Sequence, residues 1–249
     1  MSKITIILQA RTGSKRLPGK TLSKIEGKFL IWHIINRLKK VKSVDQIILA
    51  TTKKTEDDIL EKIGLQNNIF IFRGNSNNVL KRYYHCAKKF DADPIIRITG
   101  DCPLLDPLLI DQMIEFYLTH NYDYVSNTIK PTYPDGLDVE IFSFKILEKL
   151  MNKVSKQSDK EHVTSYIIEN IKDFKVFNYE NKTDLSDIRL TVDEKQDLKL
   201  IRKIFSLLQP KIIFSLNDIM KIINQNPKII EMNKGIFRNE GYFISKNAD

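Results

Sequence analysis

Cysteine is almost missing from this chain: there are two in 249 residues, Cys86 and Cys102. Two cannot form a disulfide framework for this length, and their separation fits no metal-ligand spacing. A reducing, cytoplasmic setting is therefore the expectation. Glycine (9) and proline (8) are scarce and scattered, which leaves no linker-like or low-complexity stretch. No internal repeat is visible. Long apolar runs are also wanting. The apolar run at residues 4–8 gives way at once to Gln9 and Arg11, too short for a signal peptide or a membrane span. No membrane partner is expected.

Acidic residues are outnumbered, 31 against 40 basic, for a net charge of +9. The lysines are spread through helical segments, with no basic arm interleaved with aromatics and no helix-turn-helix pattern, so a nucleic-acid partner is not expected. A small polyanion such as a nucleoside triphosphate would use only a few of these charges.

What is present is an ordinary globular balance, 42% apolar and 29% charged. Strand-like segments at 4–8, 46–51, 69–72 and 94–99 alternate with helical periodicity at 29–40, 56–63 (capped by Thr55) and 79–90. Alternation of this kind predicts a Rossmann-like α/β fold, a mostly parallel sheet with helices on both faces, whose ligands sit beyond the carboxyl ends of the strands. Further on, 122–126, 139–144 and 188–192 read as strands. Ser158 and Glu161 open a helix reaching about residue 170, and helices cover 194–208 and 216–224. A small subdomain inserted around 128–185 is expected within a single domain spanning 1–249.

Two loops leave strands at the ligand edge. The first, residues 9–20, holds Arg11, Lys15, Arg16 and Lys20 with Gly13, Gly19, Thr12 and Ser14. Cationic donors and close backbone approach suit a triphosphate. The spacing matches neither a P-loop nor a dinucleotide fingerprint. The second, Gly100-Asp101-Cys102-Pro103-Leu104, puts Asp101 just past a buried strand. There it serves either a turn or a magnesium ion that also takes phosphate oxygens. Asp106-Pro107 reads as a structural helix cap. Asp193 either caps the following helix, with Gln196 completing a box, or faces the ligand. Asp135, Asp138 and Glu140 cluster around a Pro/Gly loop, and His162 and Arg189 are further candidates for contacting an acceptor.

The stretch from Ala10-Arg11 through Ser14-Lys15-Arg16-Leu17-Pro18-Gly19-Lys20 resembles the signature of the CMP-sugar-acid synthetase superfamily. The likeness is greatest to the spore coat polysaccharide cytidylyltransferase branch, related to the CMP-ketodeoxyoctonate and acylneuraminate enzymes. It continues through Thr51-Thr52, Arg73-Gly74, 79–83, 100–104, 134–140, 161–164 and 190–193, an ordered series over roughly residues 4–200. The resemblance implies a nucleotide-diphospho-sugar transferase type of fold and a CTP-dependent enzyme acting on a small anionic sugar acid. It implies that Arg11 and Lys20 hold the triphosphate within a loop including Ala10, Gly13 and Ser14. Arg73 and Arg82 would line the cytidine pocket. Asp101 and Asp193 would share magnesium, and Asp138, Glu140, His162 and Arg189 would meet the acceptor. A homodimer is implied as well. One position departs from the pattern: Asn78 stands where relatives usually have Asp.

Overall fold

The computed structural model describes residues 2–247 and 249. The strands are β1 (Lys3–Gln9), β2 (Lys24–Ile25), β3 (Lys28–Phe29), β4 (Gln46–Thr52), β5 (Phe70–Gly74), β6 (Ala92–Thr99), β7 (Tyr124–Ser126), β8 (Glu140–Phe142) and β9 (Val176–Asn178). The α-helices are α1 (Leu30–Leu38), α2 (Asp58–Gln66), α3 (Val79–Lys89), α4 (Pro107–Thr119), α5 (Phe144–Lys153), α6 (Gln157–His162), α7 (Ser165–Glu169), α8 (Lys195–Leu208), α9 (Leu216–Gln225) and α10 (Glu240–Lys246).

Seven strands form one sheet in the order β5-β4-β1-β6-β8-β7-β9. β5, β4, β1 and β6 run parallel, β8 is antiparallel to both its neighbours, and β7 and β9 are again parallel to each other. β8 and β9, from within residues 128–185, thus complete the same sheet. β2 and β3 make a separate small ribbon.

Both faces of the sheet are covered, which is why β1 is a continuous apolar run instead of an alternating one. Its side chains divide by the two-residue strand period. Ile6 and Leu8 join the core under α1, α4, α8 and α9, while Ile7 points to the core under α3 and α5. No helix among the described residues is long and apolar enough to cross a membrane.

Several local expectations fail. Thr55 makes no cap. It opens a short 3-10 turn before α2. The helix expected from 158 to 170 is broken. Ser158 lies inside α6, and the chain turns at Val163 (φ 63°) before α7 begins. A β-branched residue in the left-handed region costs on the order of 1–3 kcal/mol. Residues 188–192 join no strand of the sheet; Arg189 makes one isolated bridge, to Asp135. The cap of α8 is Glu194, with Asp197 completing the box, rather than Asp193 with Gln196. Asn78 caps α3, its side-chain oxygen accepting from the Lys81 amide at 2.7 Å. Asn and Asp cap about equally well, which accounts for the departure at this position.

Candidate active site

The parallel strands end on one edge, and the loops leaving β1 and β6 meet there. Gly100 makes the meeting close. A Cβ at that position would lie 2.8 Å from the Ala10 Cβ and 2.9 Å from the Gln9 carbonyl oxygen. The β1 loop is held from below by Asp57, which accepts from the amide and the hydroxyl of Thr12 at 2.8 Å each and from the hydroxyl of Thr52. Asp57 is fully buried. Its sequence reads as a helix first turn, so its role as a loop anchor was not visible there.

At the centre stands Lys20. Its Nζ donates to Asp101 Oδ2 at 2.9 Å and to Asp193 Oδ1 at 2.7 Å. The two carboxylate oxygens are therefore at most 5.6 Å apart, the sum of those distances. Asp101 and Asp193, 92 residues apart in sequence, converge on one cation. Burial works against the Asp101 charge, but Lys20 and hydrogen bonds from Thr99, Lys20 and Cys102 outweigh it and hold this carboxyl well below the usual range. Burial likewise disfavours charge on Lys20, and the two aspartates more than restore it, raising its pKa.

Asp193 is positioned by Arg189. That guanidinium donates to Asp193 at 3.2 Å, to Asp135 at 2.6 Å and to both oxygens of Asp197 at 3.0 and 3.1 Å. Asp197 in turn accepts from the amides of Asp193 and Glu194 and from Asn233. Gly136 (φ 103°) lets the Asp135 turn lie on this segment, since a Cβ there would meet the Thr191 amide nitrogen at 2.5 Å.

Two other loop cations, Arg11 and Arg16, also have carboxylate partners. Arg11 pairs with Glu161 at 2.5 Å. Arg16 pairs with Asp193 at 2.8 Å and with Glu240 of α10 at 3.1 Å. The strained turn at Val163 points Glu161 and His162 one way and sends the Thr164 hydroxyl the other, to Glu140. Burial keeps the His162 pKa below its ordinary value, with the positive charge of Arg97 adding to the effect.

These groups surround a cavity of about 660 Å³. Of the residues expected from sequence, Ala10, Arg11, Ser14, Lys20, Arg82, Asp101, His162 and Asp193 line it. The others do not. Arg73 lies outside, because its guanidinium is taken by Asp58, Glu61 and the carbonyls of Thr52 and Lys54. It ties α2 to the sheet instead of facing a base. Gly13 faces Glu56. Asp138 is bound to Arg238 at 2.6 Å, and Arg189 is enclosed by its three aspartates. Glu140 is buried behind the wall, where it binds Arg97 and accepts from Tyr124 and Thr164. Arg97 itself lines the cavity, as do Arg16 and Thr99. The available signal was a lone cation inside the buried strand Ile95-Ile96-Arg97-Ile98.

Among the described residues no group of three or more His, Cys, Asp or Glu side chains is arranged to hold a metal. The Asp101–Asp193 pair offers two hard oxygen ligands around a point where a cation already sits. Magnesium commonly takes one or two protein carboxylates and draws its remaining ligands from phosphate and water, so this donor set fits it.

A parallel α/β sheet with a cationic loop and paired carboxylates at its carboxyl edge defines a nucleotidyltransferase. The cytidylyltransferase family model matches residues 5–236, and the chain belongs to that family. It is 31% identical to the spore coat polysaccharide biosynthesis protein SpsF of Bacillus subtilis over 235 residues, 91% of this chain and 96% of that one. Over 116 residues, 47% of this chain and 45% of the other, it is 34% identical to the 3-deoxy-manno-octulosonate cytidylyltransferase of Trichlorobacter lovleyi. A solved cytidylyltransferase from Leptospira borgpetersenii superposes with a TM-score of 0.91 at 34% identity, covering 96% of this chain and all of the other.

Proposed function

We propose that this cytidylyltransferase joins CMP from CTP to a hydroxyl of a sugar acid for surface polysaccharide synthesis, releases pyrophosphate, uses magnesium, and works as a cytoplasmic homodimer. The observation that carries the reading is the convergence of Asp101 and Asp193 on one cation beside the cationic loop. The relative that acts on 3-deoxy-manno-octulosonate points to the acceptor class.

The acceptor oxygen attacks the α-phosphorus in line with the departing pyrophosphate. Arg11, Arg16 and Lys20 hold the triphosphate by exchanging their present carboxylate partners for phosphate oxygens, charge-assisted contacts of the same kind. Asp101 and Asp193 would hold magnesium, which when bound offsets the negative charge on the reacting and leaving phosphates. Arg189 and Asp197 keep Asp193 in place. His162, held uncharged at neutral pH by burial, is available to the acceptor as a hydrogen-bonding group. The protein supplies no nucleophile. Burial, and then the charge of Asp101, hold the Cys102 thiol protonated, and burial pushes Cys86 up to about 12. Catalysis is positioning and electrostatics.

The test is pyrophosphate release from CTP and magnesium against a panel of sugar acids and phosphorylated acceptors. Turnover with a sugar acid is expected. Turnover only with phosphorylated acceptors, or equal use of ATP, GTP and UTP, would refute it.

A further inference from the structure

Arg97 lines this cavity and is not among the cations assigned above to the triphosphate. It stands in β6, four residues before Asp101 and on the same side of the strand as Thr99, which also faces the cavity. β6 ends at Thr99, so Arg97 stands two residues, roughly 7 Å, below the carboxyl end of the strand.

Its guanidinium is only partly satisfied. Nη1 donates to Glu140. Nε is buried without a partner, and Nη2 makes no hydrogen bond among the described residues although it is not buried. Nη2 is therefore the nitrogen left open, and it can donate to one oxygen of an anion. Glu140 is itself held by the hydroxyls of Tyr124 and Thr164, so it fixes the guanidinium plane from behind.

We propose that Arg97 is the specificity-determining seat for the acceptor's anionic group, a carboxylate in a sugar acid, with Glu140 as the positioning residue that aims it. This rests on the sugar-acid reading above. Glu140 then acts through Arg97 without touching the acceptor.

The experiment is calorimetric titration of the full chain, with CTP and without divalent metal, using 3-deoxy-manno-octulosonate, its carboxamide and inorganic phosphate as probes. The native protein should bind the acid at least about tenfold tighter than the amide, and Arg97→Lys, which keeps the charge opposite Glu140 but loses the Nη2 donor, should lose most of that ratio. Both should bind CTP alike. Glu140→Gln leaves the guanidinium in place and removes its counter-charge, so it should tighten the acid, an effect a merely structural pair would not give. This arm decides the matter if Arg97→Lys does not fold by circular dichroism. An unchanged acid-to-amide ratio in Arg97→Lys, or weaker acid binding in Glu140→Gln, would overturn the assignment. If the native protein ignores the sugar acid but binds phosphate in an Arg97-dependent way, the seat stands and the sugar-acid reading fails. If it binds none of the three probes, the seat falls.

Discussion

Replacing Lys20 with Met tests the shared-cation geometry without any turnover. Lys20 is the ammonium between Asp101 and Asp193, whose oxygens lie at most 5.6 Å apart. At that separation and an effective dielectric of about 20, two negative charges repel by roughly 3 kcal/mol. Met fills nearly the same volume but brings no charge, so the repulsion is exposed. Arg16 and Arg189 remain on Asp193 and blunt it. In a chain of this size each kcal/mol moves Tm by about 2–4 °C, so Lys20→Met should melt roughly 4–10 °C below the native protein in EDTA. Millimolar magnesium should then recover most of the loss, because a divalent ion takes the place the ammonium left. The native protein should respond far less, since its own cation competes for the same oxygens. Differential scanning fluorimetry with magnesium titrated against EDTA reads both effects. Equal stability of the two proteins in EDTA, or identical magnesium shifts, would show that the two carboxylates do not form a common cation site.

Asp193→Asn should lower kcat by about 10²–10³, the loss typical of one preorganised electrostatic group, while Tm falls by only a few degrees because Lys20, Arg16 and Arg189 each keep another carboxylate. Full activity at limiting magnesium would remove Asp193 from the machinery. Arg11→Ala should raise the KM for CTP about tenfold or more with an unchanged circular dichroism spectrum, the cost of one charge-assisted contact. A collapsed spectrum would make Arg11 structural. The Lys20–Asp101 pair also sets a pH window. The depressed Asp101 pKa makes its contribution complete above the unfolded value of about 4 and lost as pH falls through the folded pKa. The raised Lys20 pKa makes its contribution complete below about 10.4 and lost as pH rises through the folded pKa. The destabilisation of Asp101→Asn in urea titrations should therefore stay level between pH 5 and pH 9 and shrink below about pH 4. A destabilisation that halves between pH 7 and pH 5 would refute this.

The parallel half of the sheet was readable because residues such as Ile6, Ile7 and Leu8 are buried on both faces, and α1 shows a plain apolar stripe. β9 was missed. It has three half-buried residues, and its place at the sheet edge comes from pairing with β7, which leaves no local pattern. The break at Val163 was hidden because a β-branched residue at positive φ runs against its own propensity. In the site, strand-end logic brought Asp101 beside the β1 loop, and Asp193 meets them at Lys20 although residues 188–192 form no strand of the sheet. Arg73, Asp138 and Arg189 lie outside the cavity lining. Sequence gives a residue's charge but not its partners, and each of these side chains is already bound by carboxylates or, for Asp138, by Arg238. Arg97 was overlooked because a single charge inside an apolar strand gives no hint of which of its nitrogens remain free.

The pairing of Arg11, Arg16 and Lys20 with protein carboxylates has a consequence for what the loop admits. Of the loop's cations, a bare polyanion meets only Lys15 without a carboxylate partner among the described residues. To take Lys20 or Arg16 it must unseat aspartates and leave their charge stranded beside its own. A nucleotide that arrives already carrying a divalent ion brings the countercharge those aspartates require. On the proposed function, the loop favours a metal–nucleotide unit over a phosphate chain that travels without one.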